Sequence, residues 1–323
     1  MSDALSTNLA GIPLRTPVVL AAGCAGTLDE MGDAVDLRRV GAVISKSITP
    51  LEREGNATWR ILPVEGGMLN AVGLANVGLE RFLTEVGPRV SSVPTTVIGS
   101  ISGFSVEDFV KVAAGMAGVP GIAGVELNVS CPNVKHGTEF GSDAGLLREL
   151  VREVRAVLPK TRLIAKLSPI AMGPVRLADL ARAAIETGGP PGGPNQRPGV
   201  DALTVSNTMA AMAVDVETRT PKLSNVTGGL SGPAVHPIAV KLVHDVYRGV
   251  ARDTQTPILG LGGVTRWEHA AEFILVGASA VAVGTGLFVD PRCPVKIARG
   301  LETWVRRQGA KNVGELVGQV RVG

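Results

Sequence analysis

The sequence predicts an α/β fold: a (β/α)8 TIM barrel with insertions after its second and sixth strands, residues 1–323 forming a single domain. Three observations carry this expectation. Eight short apolar, β-branched runs recur along the chain, and each ends in or near Gly, Ser, Asn or Thr. Helical patterns fall between most of them. The 323 residues divide into about 40 per unit, which suits such a barrel with additions.

The strand candidates are residues 17–22, 41–45, 95–100, 124–129, 162–167, 200–206, 257–261 and 279–284. Each is of strand length, and runs without polar alternation suit strands buried on both faces. The spacing predicts helices over 105–115, 145–158, 177–187, 237–251 and 266–276, where apolar residues recur at three- and four-residue steps. The first opens with Ser105 followed by acidic residues, an N-cap and first turn. Residues 49–94 and 209–232 are the long insertions. The stretch 188–199, GGPPGGPNQRPG, precedes a strand, so it is expected on the face away from the chemistry.

In a barrel of this kind the site is built at the C-terminal strand ends. Those ends carry Ala22, Lys46-Ser47, Gly99-Ser100, Asn128 through Cys131, Lys166, Ser206 through Thr208, Gly262-Gly263 and Gly284-Thr285. Lysines, asparagines and a cysteine there are poor packing residues. A lysine entering a barrel mouth needs an anionic or electron-rich partner to offset its desolvation. The glycine-rich ends seven and eight, with 228–232 before a helix, offer backbone N–H groups to a phosphate. Cys131, on the turn that Pro132 imposes after the strand, suits a nucleophile or a general base, since a free thiol has a pKa of ~8.5. The loop 70–76 offers amide side chains and backbone groups without charge, which suits a ligand with several carbonyl and N–H groups.

Composition excludes other classes. Net charge is +3, and only 3% of residues are aromatic, so neither a basic nor a base-stacking nucleic-acid surface is expected. With 45% hydrophobic and 19% charged residues, a disordered chain is excluded. No apolar run approaches the ~20 residues of a spanning helix, and no secretory signal opens the chain, so a cytoplasmic protein is expected. Three scattered cysteines build neither a zinc site nor an iron–sulfur cluster. Cys24 and Cys293 read as packing residues. His236, His244 and His269 read as surface or satisfied core residues, and His136 as a loop residue.

The run 128–137, NVSCPNVKHG, closely resembles the active-site signature of class 1 dihydroorotate dehydrogenases. GMLNAVGLAN at 67–76 resembles their substrate loop. GGLSGPA at 228–234, GLGGV at 260–264 and GASAVAVGT at 277–285 complete a set that runs in register from about residue 8 to about 315. The VKHG at 134–137 points to the NAD-linked subclass, class 1B, rather than the fumarate-linked one.

The resemblance implies a barrel that binds FMN and oxidises (S)-dihydroorotate to orotate in pyrimidine (UMP) biosynthesis. By position, Cys131 is the general base at C5, and hydride passes from C6 to the flavin. Lys46 lies between flavin and substrate. Asn70, Ala71, Val72, Gly73, Leu74, Asn133, Asn207 and Thr208 bind the substrate, and Asn128 touches both ligands. Ala22, Ser47, Ser100 and Val205 contact the flavin. Lys166 sits at its electron-rich N1/O2 side, and Gly232, Gly262, Gly263, Gly284 and Thr285 hold the phosphate. The family often has Ser at the position of Ala22 and Asn at that of Ser100, and the 188–199 stretch is longer than the family pattern. The resemblance also implies a homodimer, or a heterotetramer with a partner subunit that carries FAD and a 2Fe-2S cluster. Two other readings share parts of the pattern: a dihydropyrimidine dehydrogenase-like flavoprotein, and a phosphate-binding barrel without redox chemistry. The 70–74 loop and CPNVKHG favour dihydroorotate over the first, and the paired Lys46 and Lys166 argue against the second.

Overall fold

A computed structural model describes residues 3–129, 140–169, 176–188 and 197–321. Eight parallel strands close into a barrel: β1 (Val18–Leu20), β2 (Ala42–Ile44), β3 (Thr96–Ile101), β4 (Ile122–Asn128), β5 (Arg162–Lys166), β6 (Ala202–Val205), β7 (Ile258–Leu261) and β8 (Ala280–Val283). They pair in chain order, and β8 returns to β1. All eight lie inside the expected runs or within two residues of them.

Side-chain alternation divides each strand between two cores. Val18 and Leu20 join the large outer cluster under the helices, while Val19, Ala42, Ile44, Ile98, Ile164, Leu259 and Ala282 fill the barrel. Among the described residues, helices of nine or more residues follow six of the strands: α1 (Val106–Ala117), α2 (Ala144–Val157), α3 (Leu177–Ile185), α4 (His236–Val246), α5 (Trp267–Leu275) and α6 (Cys293–Arg307). Ser105 caps α1, its Oγ accepting from the Asp108 N–H at 3.2 Å, and Asp143 caps α2, accepting from the Leu146 N–H at 2.8 Å. A π-helical turn, Tyr247–Ala251, continues α4. No helix among the described residues is long and apolar enough to cross a membrane.

Two features go beyond the sequence reading. An antiparallel hairpin, Thr7–Leu9 with Ile12–Leu14, puts Leu9, Ile12 and Leu14 into the inner core beside Ile164. It stoppers the N-terminal end of the barrel. The two insertions are not separate loops. Ile61–Val64 and Gly67–Asn70 from the first join Met209–Ala211 and Gly228–Ser231 from the second in one four-stranded antiparallel sheet. Asn70 lies opposite Gly229 and donates from Nδ2 to its carbonyl at 3.2 Å. Of the 188–199 stretch, 189–196 fall outside the described residues.

Candidate active site

The C-terminal strand ends and the inserted sheet enclose a cavity of about 1280 Å3, counted out to its open mouth. Ala22 enters its wall from the end of β1, and Lys46 and Ser47 from β2. Asn128 enters from β4, Lys166 from β5, and Asn207 and Thr208 from β6. Gly262 and Gly263 follow β7, and Gly284 and Thr285 follow β8. The inserted sheet and its loops add Asn70, Val72, Gly73, Leu74 and Gly232.

A polar chain runs along one side. Asn207 donates from Nδ2 to the Asn128 Oδ1 at 3.3 Å, and Asn128 donates from Nδ2 to the Ser47 Oγ at 3.3 Å. Ser47 and Ser100 share a hydroxyl contact at 2.9 Å. The Asn207 Oδ1 accepts from the Thr208 N–H at 2.8 Å. Each amide is thereby held in one orientation, as a surface that reads carbonyl and N–H groups requires.

The opposite side is glycine. A Cβ on Gly263 would lie 2.7 Å from the Gly232 carbonyl oxygen, with φ at +67°. A Cβ on Gly262 would lie 2.5 Å from that of Ala239 on α4. Only glycine fits here, so backbone alone faces the cavity beside the start of α4, where helix geometry favours anions. His236, 6% exposed, braces this turn from behind. Its Nδ1 lies 2.9 Å from the Gly262 carbonyl and its Nε2 2.6 Å from Glu272. It is therefore a satisfied core histidine, stacked at 4.2 Å on His269, whose pKa burial pushes down.

Three expected residues are not in the wall. Val205 faces the outer core, because the β6 alternation turns Thr204 and Ser206 inward instead. Ser100 is fully buried behind Ser47, and the Ser45 hydroxyl accepts its N–H at 3.0 Å. Ala71 is fully buried with Leu69 and Leu223, and its N–H donates to the Arg60 carbonyl at 2.8 Å. Cys131, Asn133 and His136 lie outside the described residues.

Cys24 packs against the outer core as expected and also lines the cavity. Burial pushes its thiol up, while Lys166 and Lys46 pull it back. Cys293 is a packing residue, 3% exposed at the start of α6 with its thiol pushed up to about 11. Sequence reasoning also missed Phe288, and it had Met68 and Leu230 inside its motifs without naming them as site residues. It missed Glu126 below the wall, although two-residue spacing puts Glu126 on the same face as Asn128.

Comparison with known proteins matches this architecture. The family model described as Dihydroorotate dehydrogenase covers residues 4–305. The "Dihydroorotate dehydrogenase B (NAD(+)), catalytic subunit" of Pelobacter propionicus is 41% identical over 98% of this chain and 99% of its own length. The protein of the same name from Bacteroides thetaiotaomicron is 40% identical over the whole of both chains. That of Geotalea daltonii is 41% identical over 98% of each. With a family match across most of its length and relatives of this identity from end to end, the chain belongs to the dihydroorotate dehydrogenase family.

Proposed function

We propose that this chain oxidises (S)-dihydroorotate to orotate, with FMN as its resident cofactor and residues 1–323 acting as one barrel unit. The carrying observation is the conjunction, in one cavity, of a glycine cradle, two lysines and a fixed row of amides. The residues fit an isoalloxazine phosphate. Gly232, Gly262, Gly263, Gly284 and Thr285 would hold its phosphate through backbone groups, and Lys166 would face the ring. FMN supplies a hydride acceptor that no side chain offers.

The chain's residues do the rest. Asn128, Asn207 and Thr208, with the 70–74 loop, orient the planar substrate through its amides and carboxylate. Lys46 adds a cation between the two ligands. Cys131 removes the C5 proton as the C6 hydride leaves, so that the new C5–C6 double bond forms without a carbanion in water. The inserted sheet forms one wall of the mouth.

Electrons then leave the chain. Its three cysteines are fewer than the four thiolates an iron–sulfur cluster takes. The named relatives are catalytic subunits of an NAD(+)-linked enzyme. We therefore assign the onward transfer to a partner subunit with FAD and a 2Fe-2S cluster, on a homodimer of this chain, in the cytoplasm.

The deciding experiment is anaerobic mixing of the purified protein with dihydroorotate. Flavin absorbance should bleach, and NAD, fumarate and a quinone are then tried in turn as reoxidants. A colourless protein that cannot be reconstituted, or a flavin that dihydroorotate leaves oxidised, defeats the proposal. Two variants refine it. Gly263→Ala should weaken FMN retention at least about tenfold by fluorescence titration, because the added Cβ moves the turn that holds the phosphate. Lys166→Ala should weaken flavin retention or lower its reduction potential. Unchanged values for both quantities would leave Lys166 a structural residue.

A further inference from the structure

Glu126 supplies the one buried side-chain polar atom without a hydrogen-bond partner among the described residues. The residue has no solvent exposure, and its Oε1 is unpaired. A buried polar atom left unpaired costs roughly 1–3 kcal/mol. Packing alone would favour an apolar side chain here, so the carboxyl calls for another explanation.

Register supplies it. Asn128, Lys166 and Thr204 are paired across β4, β5 and β6, so they stand at one level of the barrel. Glu126 points inward from the same face of β4, one step below Asn128. Its side chain spans β5 to reach Thr204, whose hydroxyl donates to Oε2 at 2.7 Å. The carboxyl thus crosses beneath Lys166, which enters the cavity wall at 7% exposure. Charge links the two groups: burial pushes the Glu126 carboxyl up, and Lys166 and the Thr204 hydrogen bond pull it down. The cavity wall therefore holds Lys166 over one buried carboxyl.

We propose that Glu126 is a positioning residue which sets the field that Lys166 presents to the bound flavin, holding the flavin's reduction potential down. The inference rests on the FMN reading above. Reduction places negative charge on the flavin, and an uncompensated ammonium beside it over-stabilises the reduced form. Burial raises the Glu126 carboxyl on balance, and Lys166 and the Thr204 hydrogen bond favour its charged form against that burial; the charge they hold there offsets part of the effect. The reduced cofactor then retains enough driving force to pass its electrons to a low-potential acceptor such as a nicotinamide.

The test is Glu126→Gln, which keeps the shape and an acceptor for Thr204 but removes the charge. Anaerobic reductive titration of the holoenzyme reads the flavin's midpoint potential, and absorbance reads the flavin content. The expected result is full FMN occupancy and an equilibrium constant for flavin reduction raised about tenfold, an upward move of about 30 mV for a two-electron couple. Thr204→Val, which removes the hydrogen bond that favours the carboxylate, should move the potential in the same direction by less. It decides the matter if the glutamine variant fails to fold. A flavin that stays bound at the wild-type potential in the variants that fold overturns the inference. A wild-type protein that takes up no flavin defeats the FMN reading itself, and this inference with it.

Discussion

Serine in place of Cys131 should leave FMN bound and slow flavin reduction by dihydroorotate by about 10²–10⁴-fold at neutral pH. A thiol with a pKa of ~8.5 is partly thiolate at that pH, and the thiolate takes the proton, whereas an aliphatic hydroxyl supplies essentially no alkoxide. The described cavity wall makes the prediction sharper, because it contains no carboxylate and no imidazole. Its basic candidates are Lys46, Lys166 and Cys24, and Cys24 carries a thiol that burial makes harder to ionise. Stopped-flow bleaching of the flavin reads the effect directly. A near-normal rate in the Cys131 variant, together with a collapse in Cys24→Ser, would transfer the base to the other thiol.

The largest effect on stability should come from Asp201→Ala, a loss of about 3–5 kcal/mol. Asp201 opens onto β6, and its Oδ2 accepts from the Arg155 Nη2 at 2.5 Å and from the Leu163 N–H at 2.8 Å. Both partners of the ion pair are 3% exposed. Arg155 also donates to the carbonyls of Gly199, Leu158 and Thr161, so the end of α2 and the starts of β5 and β6 meet in one knot. Removing the carboxylate strands a buried guanidinium, and a pair broken on one side costs more than a pair never made. Urea unfolding measures it. A loss below about 1 kcal/mol would mean that water reaches Arg155 and the knot is not sealed.

Much of the barrel was legible because a strand buried on both faces writes itself as an unbroken apolar run. The helices between them carry their own period. The helix Cys293–Arg307 carries that period too, in Ile297, Leu301 and Trp304, and was open to the same reading. The hairpin under the barrel was not, since strands of three residues show no period. The inserted sheet escaped because its central pairing joins Asn70 to Gly229, far apart in sequence, and no local pattern encodes such a partner.

Site residues divide the same way. Lysines, asparagines and glycines at strand ends stood out because packing does not explain them. Position alone could not say that Val205 turns outward, that Ser47 screens Ser100, or that Cys24 faces the cavity. Val205 and Ser100 lie within β6 and β3, so their faces depend on the register of the alternation there, whereas Cys24 lies past the end of β1, where that alternation lapses.

The inserted sheet has a consequence for anyone reshaping this protein. Met68 and Leu230, which face each other's strands across it, come from segments that meet only after the chain has gone most of the way round the cylinder. Grafting one of these segments from a relative would mismatch the seam, so a chimera that aims to change ligand preference should exchange 61–70 and 209–231 as a pair.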